Sequence, residues 1–198
     1  MRIVRWSLVA LVAAACAGAA QSAPSRSPSP ASATASGGAA TRVDGTAQSA
    51  TATALTLTDG TVIQITAATR TIRTDRATLA DLKTGQFVAI TAKQQPDGTL
   101  LATIVNVFPA SIGANIPAGQ RPLTEGNLMT NAPIAAIDQV SGSSFTVTFS
   151  GNTVKVVLAS NAVITAQTDV KPTDIPVGTK ISATVRAGVA QGIQFQGP

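Results

Sequence analysis

Along most of this chain, apolar residues alternate with Thr, Gln and Asn over short runs, the period of a half-buried β-strand. Between residues 42 and 108 there are five clear runs and one short one: 43–49, 53–58, 61–66, the short 69–73, 86–94 and 100–108. Leu55 and Leu57 alternate with Thr, and Asp59-Gly60 then forms a two-residue hairpin signal before Ile63 and Ile65. Residues 78–82 (TLADL) read as one helical turn, capped by Thr78 or Asp81 and ended by Gly85. Pro96-Asp97-Gly98 turns the next strand into the last, where Leu101, Ile104, Val105 and Val107 supply apolar side chains.

The same order returns at an offset of about 90 to 93 residues. Phe145-Thr146-Val147 answers Leu55-Thr56-Leu57, and Gly151-Asn152 answers Asp59-Gly60. Asn161 to Ile164 answers Thr69 to Ile72, and Asp174-Ile175-Pro176-Val177-Gly178 answers Asp81-Leu82-Lys83-Thr84-Gly85. The reading is two β modules, 42–108 and 132–198, each a small Greek-key barrel or sandwich. Each is near the size at which a fold is marginal alone, so the two are expected to touch. Residues 109–131, with three prolines and three glycines, read as a connector.

The first forty residues follow a different pattern. Arg2 and Arg5 precede an apolar run of about ten residues, too short to span a membrane and suited to an export signal. Cys16 follows directly, after Ala13-Ala14-Ala15, in the manner of a bacterial lipoprotein signal. The expected signal is therefore 1–15 with lipidation at Cys16, or 1–20 with ordinary cleavage and Cys16 discarded. Ala13 stands where such signals favour Leu. Residues 21–41, rich in Ser, Ala, Pro and Gly without apolar periodicity, read as a disordered tether.

Composition narrows the chemistry. There is no His or Tyr, and the only Trp and Cys fall in the first sixteen residues. The commonest acid–base group and metal ligand is thus missing, and a Cys-based zinc site is excluded by count. The sequence pI is about 10.2. Removing Arg2 and Arg5 with the signal nevertheless leaves 12 basic against 9 acidic residues, a net charge of +3 that speaks for solubility more than for nucleic acid. The mature chain's aromatic residues are Phe87, Phe108, Phe145, Phe149 and Phe195, mostly at core-like positions, so stacking platforms for bases or sugars are lacking.

The repeated plan resembles a family of short bacterial envelope domains, domain of unknown function 5666. Carrying the resemblance are Val43-Asp44-Gly45, Thr69 to Ile72, Asp81-Leu82-Lys83-Thr84-Gly85-Gln86-Phe87-Val88 and Asp97-Gly98-Thr99-Leu100-Leu101-Ala102. The later stretch keeps the pattern from Asp174 to Ile181, but lacks the opening Gly and the Asp-Gly-x-Leu element, which Gly188 replaces only in part. The resemblance implies an all-β chain of two tandem OB-like Greek-key β-barrel modules, the second degenerate, and brings no catalytic residues.

Candidate sites are few. Arg70, Arg73 and Arg76, three apart, are a candidate anion-binding strip for phosphate, anionic lipid or acidic polysaccharide, against the plainer reading of a solvated loop with Asp75 as partner. Asp81 and Asp174 read as turn caps, and Asp97-Gly98 lacks the alternating carboxylates of a calcium loop. The expectation is an exported bacterial envelope protein, periplasmic or outer-membrane-attached, that is not an enzyme and needs no cofactor or metal. Its leading role is an interaction or scaffolding module whose strand edges or linker engage another envelope protein. The alternative is a small-ligand or polysaccharide/anion-binding module.

Overall fold

The computed structural model describes residues 38–138 and 143–197; the signal, Cys16 and the linker up to residue 37 lie outside them. Alternating Thr and aliphatic residues form β1 (Thr41–Ala50), β2 (Ala54–Leu57), β3 (Val62–Gln64), β4 (Arg70–Ala77), β5 (Phe87–Gln94) and β6 (Leu100–Phe108). A four-residue helix α1 (Ala110–Gly113) and a short strand β7 (Gly119–Pro122) follow. The later strands are β8 (Asn127–Asp138), β9 (Ser144–Phe149), β10 (Asn152–Asp169), β11 (Lys180–Arg186) and β12 (Val189–Gln196). The chain is all-β, with its described strands in one large mixed sheet.

Turn chemistry sets the hairpins. The Asp59 carboxylate accepts from the Thr61 N–H at 2.9 Å, and Asp97 accepts from the Thr99 N–H at 3.0 Å. Ala187-Gly188 closes the β11–β12 hairpin with φ of 49° and 78°. That is the primed-turn conformation which Asp-Gly would otherwise supply. Asp81 and Asp174 cap two 3-10 turns, accepting from the Thr78 N–H at 2.8 Å and the Lys171 N–H at 3.0 Å.

The pairings close two five-stranded rings. In the first, β1 pairs with β2 and β11, β2 with β3, β3 with β12, and β12 with β11. In the second, β8 pairs with β5 and β9, β9 with β10, β10 with β6, and β6 with β5. Closure leaves few edges for accidental strand pairing. Leu55, Leu57, Ile63, Ile181, Ile193 and Phe195 fill the first ring; Val88, Ile90, Leu100, Ile134, Phe145 and Val156 fill the second.

The rings do not coincide with the expected modules 42–108 and 132–198. The first takes β1–β3 from the early half and β11–β12 from the late half. The second takes β5 and β6 from the early half and β8–β10 from the late half. The halves are exchanged, and the crossing runs through β4 and β10. Residues 72–77 pair antiparallel with 164–169, Ile72 opposite Asp169 and Ala77 opposite Ile164. β4 also joins the first ring by running parallel to β12, while β10 runs parallel to β6 in the second. No Gly or Pro interrupts 70–77, so nothing turns β4 back toward its own module.

Both rings follow one pairing pattern. Ala47 lies opposite Leu57 in the first ring as Ile134 lies opposite Val147 in the second. Each ring carries a one-residue bulge in a matching hairpin, at Thr103 in β5–β6 and at Gln191 in β11–β12. The offset drifts from 87 residues (Ala47 to Ile134) to 93 (Gly85 to Gly178). It explains the missing opening glycine. Gly45 is next to Leu57, and a Cβ on it would lie 2.6 Å from Leu57 Cδ1. The matching positions in the second ring are Ala132 and Val147, both fully buried, where a smaller facing side chain makes room for the methyl group.

The connector is ordered and shorter than expected, since β8 starts at Asn127, inside the 109–131 stretch. The fully buried Thr130 hides the alternation there, because a polar residue stands at a core position. The Thr130 hydroxyl accepts from Gln120 Nε2 at 3.0 Å, across the β7–β8 pair.

Two outcomes check this account. Thr46 lies opposite Lys180, and the Thr46 carbonyl accepts from Thr58 on the side away from β11, so this is a non-hydrogen-bonded pair. Its Cα atoms are then about 4.5 Å apart, within disulfide range. A Thr46→Cys/Lys180→Cys chain with Cys16→Ala should form an intrachain disulfide under mild oxidation, read as a mass loss of two hydrogens. Thr46→Cys/Phe87→Cys, the pair that unexchanged modules would bring together, should not. Second, Thr71 is 3% exposed and its hydroxyl has no hydrogen-bond partner. Replacing a buried, unsatisfied hydroxyl with an apolar group of the same shape is favourable. Thr71→Val should raise the unfolding free energy by about 1 kcal/mol in urea titration.

Candidate functional site

Direct pairing across β1, β11, β12 and β4 sets residues in rows on one face. Asp44 faces Ser182, Ser182 faces Gln194, and Gln194 faces Ile72. One step along, Thr46 faces Lys180 and Gln196 faces Thr74. The polar side chains of these rows point away from the first ring's core and line an open groove of about 540 Å³, with Arg42 at its rim. Arg42 Nε donates to both Asp44 carboxylate oxygens, at 2.9 and 3.0 Å. The Arg42 and Ser182 hydrogen bonds hold the Asp44 carboxyl below its ordinary range. Both members of this pair are largely exposed, so it orients side chains more than it adds stability.

The same face of the second ring is covered by the chain itself. By the matched registers, Asn131, Ala89, Asn106, Phe87 and Phe108 stand where Asp44, Ser182, Gln194, Lys180 and Gln196 stand in the first ring. α1 packs there against β5 and β6. Gly113 is buried, and a Cβ on it would lie 2.7 Å from Phe87 Cβ, so the approach requires glycine. β7 then pairs along the outer edge of β8, Gly119 to Pro122 against Asn131 to Leu128. The first ring presents Lys, Ser and Gln on this face and no described segment covers it.

The three arginines are not brought together. Arg70 and Arg76 share one face of β4, about 20 Å apart at strand rise. Arg73 points to the other face, where its Nε donates to Asp75 Oδ2 at 2.8 Å. The stretch is strand rather than loop, and Asp75 is the partner of Arg73. Arg70 borders a second hollow, about 440 Å³, with Ile72 and Ile112 among its lining residues. Beside it Ser111 Oγ donates to Asp169 Oδ2, tying the connector to β10.

Sequence reasoning missed the groove, because Arg42 and Asp44 are separated from Lys180 and Ser182 by most of the chain. The available signal was the polar row Arg42, Asp44 and Thr46 on the outward positions of β1. Among the described residues no cluster of three or more His, Cys, Asp or Glu could hold a metal, and no helix is long and apolar enough to cross a membrane. What the groove offers is a cation, a paired carboxylate, amides and hydroxyls, chemistry suited to binding a polar surface.

Residues 44–106 match the family model described as Domain of unknown function (DUF5666). The matched stretch runs from β1 through β6 and so supplies strands to both rings. No curated protein matches the chain, and no solved structure matches it.

Asp44, Asp59, Asp81 and Asp97 are all held below the ordinary value of 3.8 by hydrogen bonds to their charged forms. A depressed folded pKa gives stability that is complete above the unfolded value and is lost as pH falls through the folded one. The thermal midpoint should therefore hold level from pH 7 to about pH 5 and decline below about pH 4. Asp81→Asn should make that acid decline shallower in melts followed by circular dichroism.

Proposed function

We propose that this is a non-catalytic interaction protein of the bacterial envelope, which engages another envelope protein through the uncovered groove of its first ring. In this reading the chain is exported, Cys16 carries the lipid anchor, and the expected 21–41 tether ends one residue earlier, because Thr41 opens β1 opposite Val185. The two rings are OB-like units, and the stretch 127–196 is a second, diverged copy of the family domain that matches at 44–106.

The observation that carries the proposal is the unequal covering of two matching faces. The second ring's face carries Phe87, Ala89 and Phe108 beside Asn106 and Asn131, and the connector lies over it. The first ring's face is polar, with Lys180, Ser182, Gln194 and Gln196 around a groove. A polar, open face on an otherwise closed β-structure suits a reversible contact. The alternative, an anion or acidic polysaccharide, draws support from Arg70 at the second hollow.

A photo-crosslinking residue at Ser182 should trap a discrete protein adduct in intact envelopes, while one at the exposed Thr153 of the second ring should not. Absence of any adduct at Ser182 sinks the adaptor reading. Co-sedimentation with polygalacturonate that is abolished by Arg70→Ala would favour the alternative.

A further inference from the structure

We propose that the free edge of β1 pairs antiparallel with the same edge of a second copy of this chain, in the register that sets Val43 opposite Val43 and Arg42 opposite Asp44. The inference goes beyond the groove reading and does not depend on what the groove binds.

The edge is open on one side only. Residues 41–46 of β1 pair with β11, and β2 begins opposite Ala50 and ends opposite Ala47. Thr46 turns its carbonyl away from β11, toward the Thr58 N–H. Strand alternation points the backbone groups of Asp44 and Arg42 the same way. No described strand meets them, and Thr41, Arg42 and Asp44 are exposed.

The second ring shows what this position takes. Asn131 and Met129 of β8 match Asp44 and Arg42, and there β7 lies along the edge as an antiparallel strand. The edge geometry that accepts a strand in one ring is left unfilled in the other.

Charge then selects the occupant and the register. Pairing centred on Arg42 or on Asp44 would set like charges directly opposite, which is unfavourable in a ladder. Pairing centred on Val43 makes Arg42 and Asp44 mutually hydrogen-bonded pairs with their counterparts. It completes a square of alternating charge on the outer face, with the two valines apposed on the core-facing side, and extends the Arg42–Asp44 contact already formed within each chain. The short sequence Arg42-Val43-Asp44 is thus complementary to itself when reversed. Because β7 fills the matching edge in the second ring, the described strands of each chain offer one such edge. An isologous contact through a single edge closes at two copies and does not propagate.

Sedimentation equilibrium of the whole chain, with reductant present so that Cys16 cannot link copies, should show a concentration-dependent monomer–dimer equilibrium weakened by salt. Arg42→Asp and Asp44→Arg, each alone, should weaken dimerisation about tenfold by setting like charges opposite one another. An equimolar mixture of the two variants should dimerise as the native chain does, and so should the double variant. Circular dichroism melts of each variant verify that the fold is retained. A monomer at every concentration, in native protein and mixture alike, overturns the proposal and leaves the edge charges as guards against pairing. A dimer indifferent to both single substitutions, or restored by neither mixture nor double variant, overturns the register. A crosslink from Ser182 to a second copy has twice the chain's mass, whereas the groove reading requires an adduct with a different protein, so failure here is distinguishable from failure of that reading.

Discussion

Both rings depend on the antiparallel pairing of residues 72–77 with 164–169. On one face of this ribbon, Ala77, Ile164 and Ala166 belong with the second ring's core, while Val170 just beyond it packs against the first. Between them Arg73 and Asp75 form a pair at 2.8 Å. On the other face Ile72 is 2% exposed, and Ser111 of the connector reaches Asp169. The ribbon is where the chain leaves one ring for the other in both directions. Neither ring is made from one contiguous stretch, so the described residues from 38 to 197 form a single compact unit.

The rings share a plan and differ in how they are dressed. Gly45 with Leu57, and Ala132 with Val147, fill the same space with the volume divided differently, which is how cores tolerate substitution. The larger difference lies on the outside. Phe87, Ala89 and Phe108 on that face drew the connector onto the second ring, and covering them there removes surface that would otherwise invite association. The first ring carries polar residues at the matching positions and needs no such cover. One plan therefore yields a closed face and an open one.

The open face is electrostatically mild. On this face Arg42 is matched by Asp44, and on the opposite face of β4 Arg73 is matched by the half-buried Asp75; such solvent-accessible pairs are worth little to stability. What these pairs fix is direction: they hold side chains in alternation along a strand. Recognition built on such pairs favours complementarity and register over raw affinity.

The sequence by itself determined the strands, the turns and the all-β class, because these rest on local causes. Alternation at Leu55 and Leu57 or at Phe145 and Val147, the Asp-Gly turns at 59–60 and 97–98, and the capping Asp81 and Asp174 each act within a few residues. β8 escaped at its start, since the buried Thr130 breaks the pattern and its partner Gln120 lies on another strand. Only the tertiary structure decided which strands close together. A strand meets the same alternation and turns whether it pairs within its own half or with the other, so the trace of the exchange in residues 42–108 is slight, the run 70–77 that no Gly or Pro interrupts. Alternation within β4, again a local cause, sets Arg73 on the face opposite Arg70 and Arg76, whereas only long-range pairing makes Asp44 and Ser182 neighbours. Pairing between distant strands is settled by long-range packing, and that information does not reside in any one stretch of the chain.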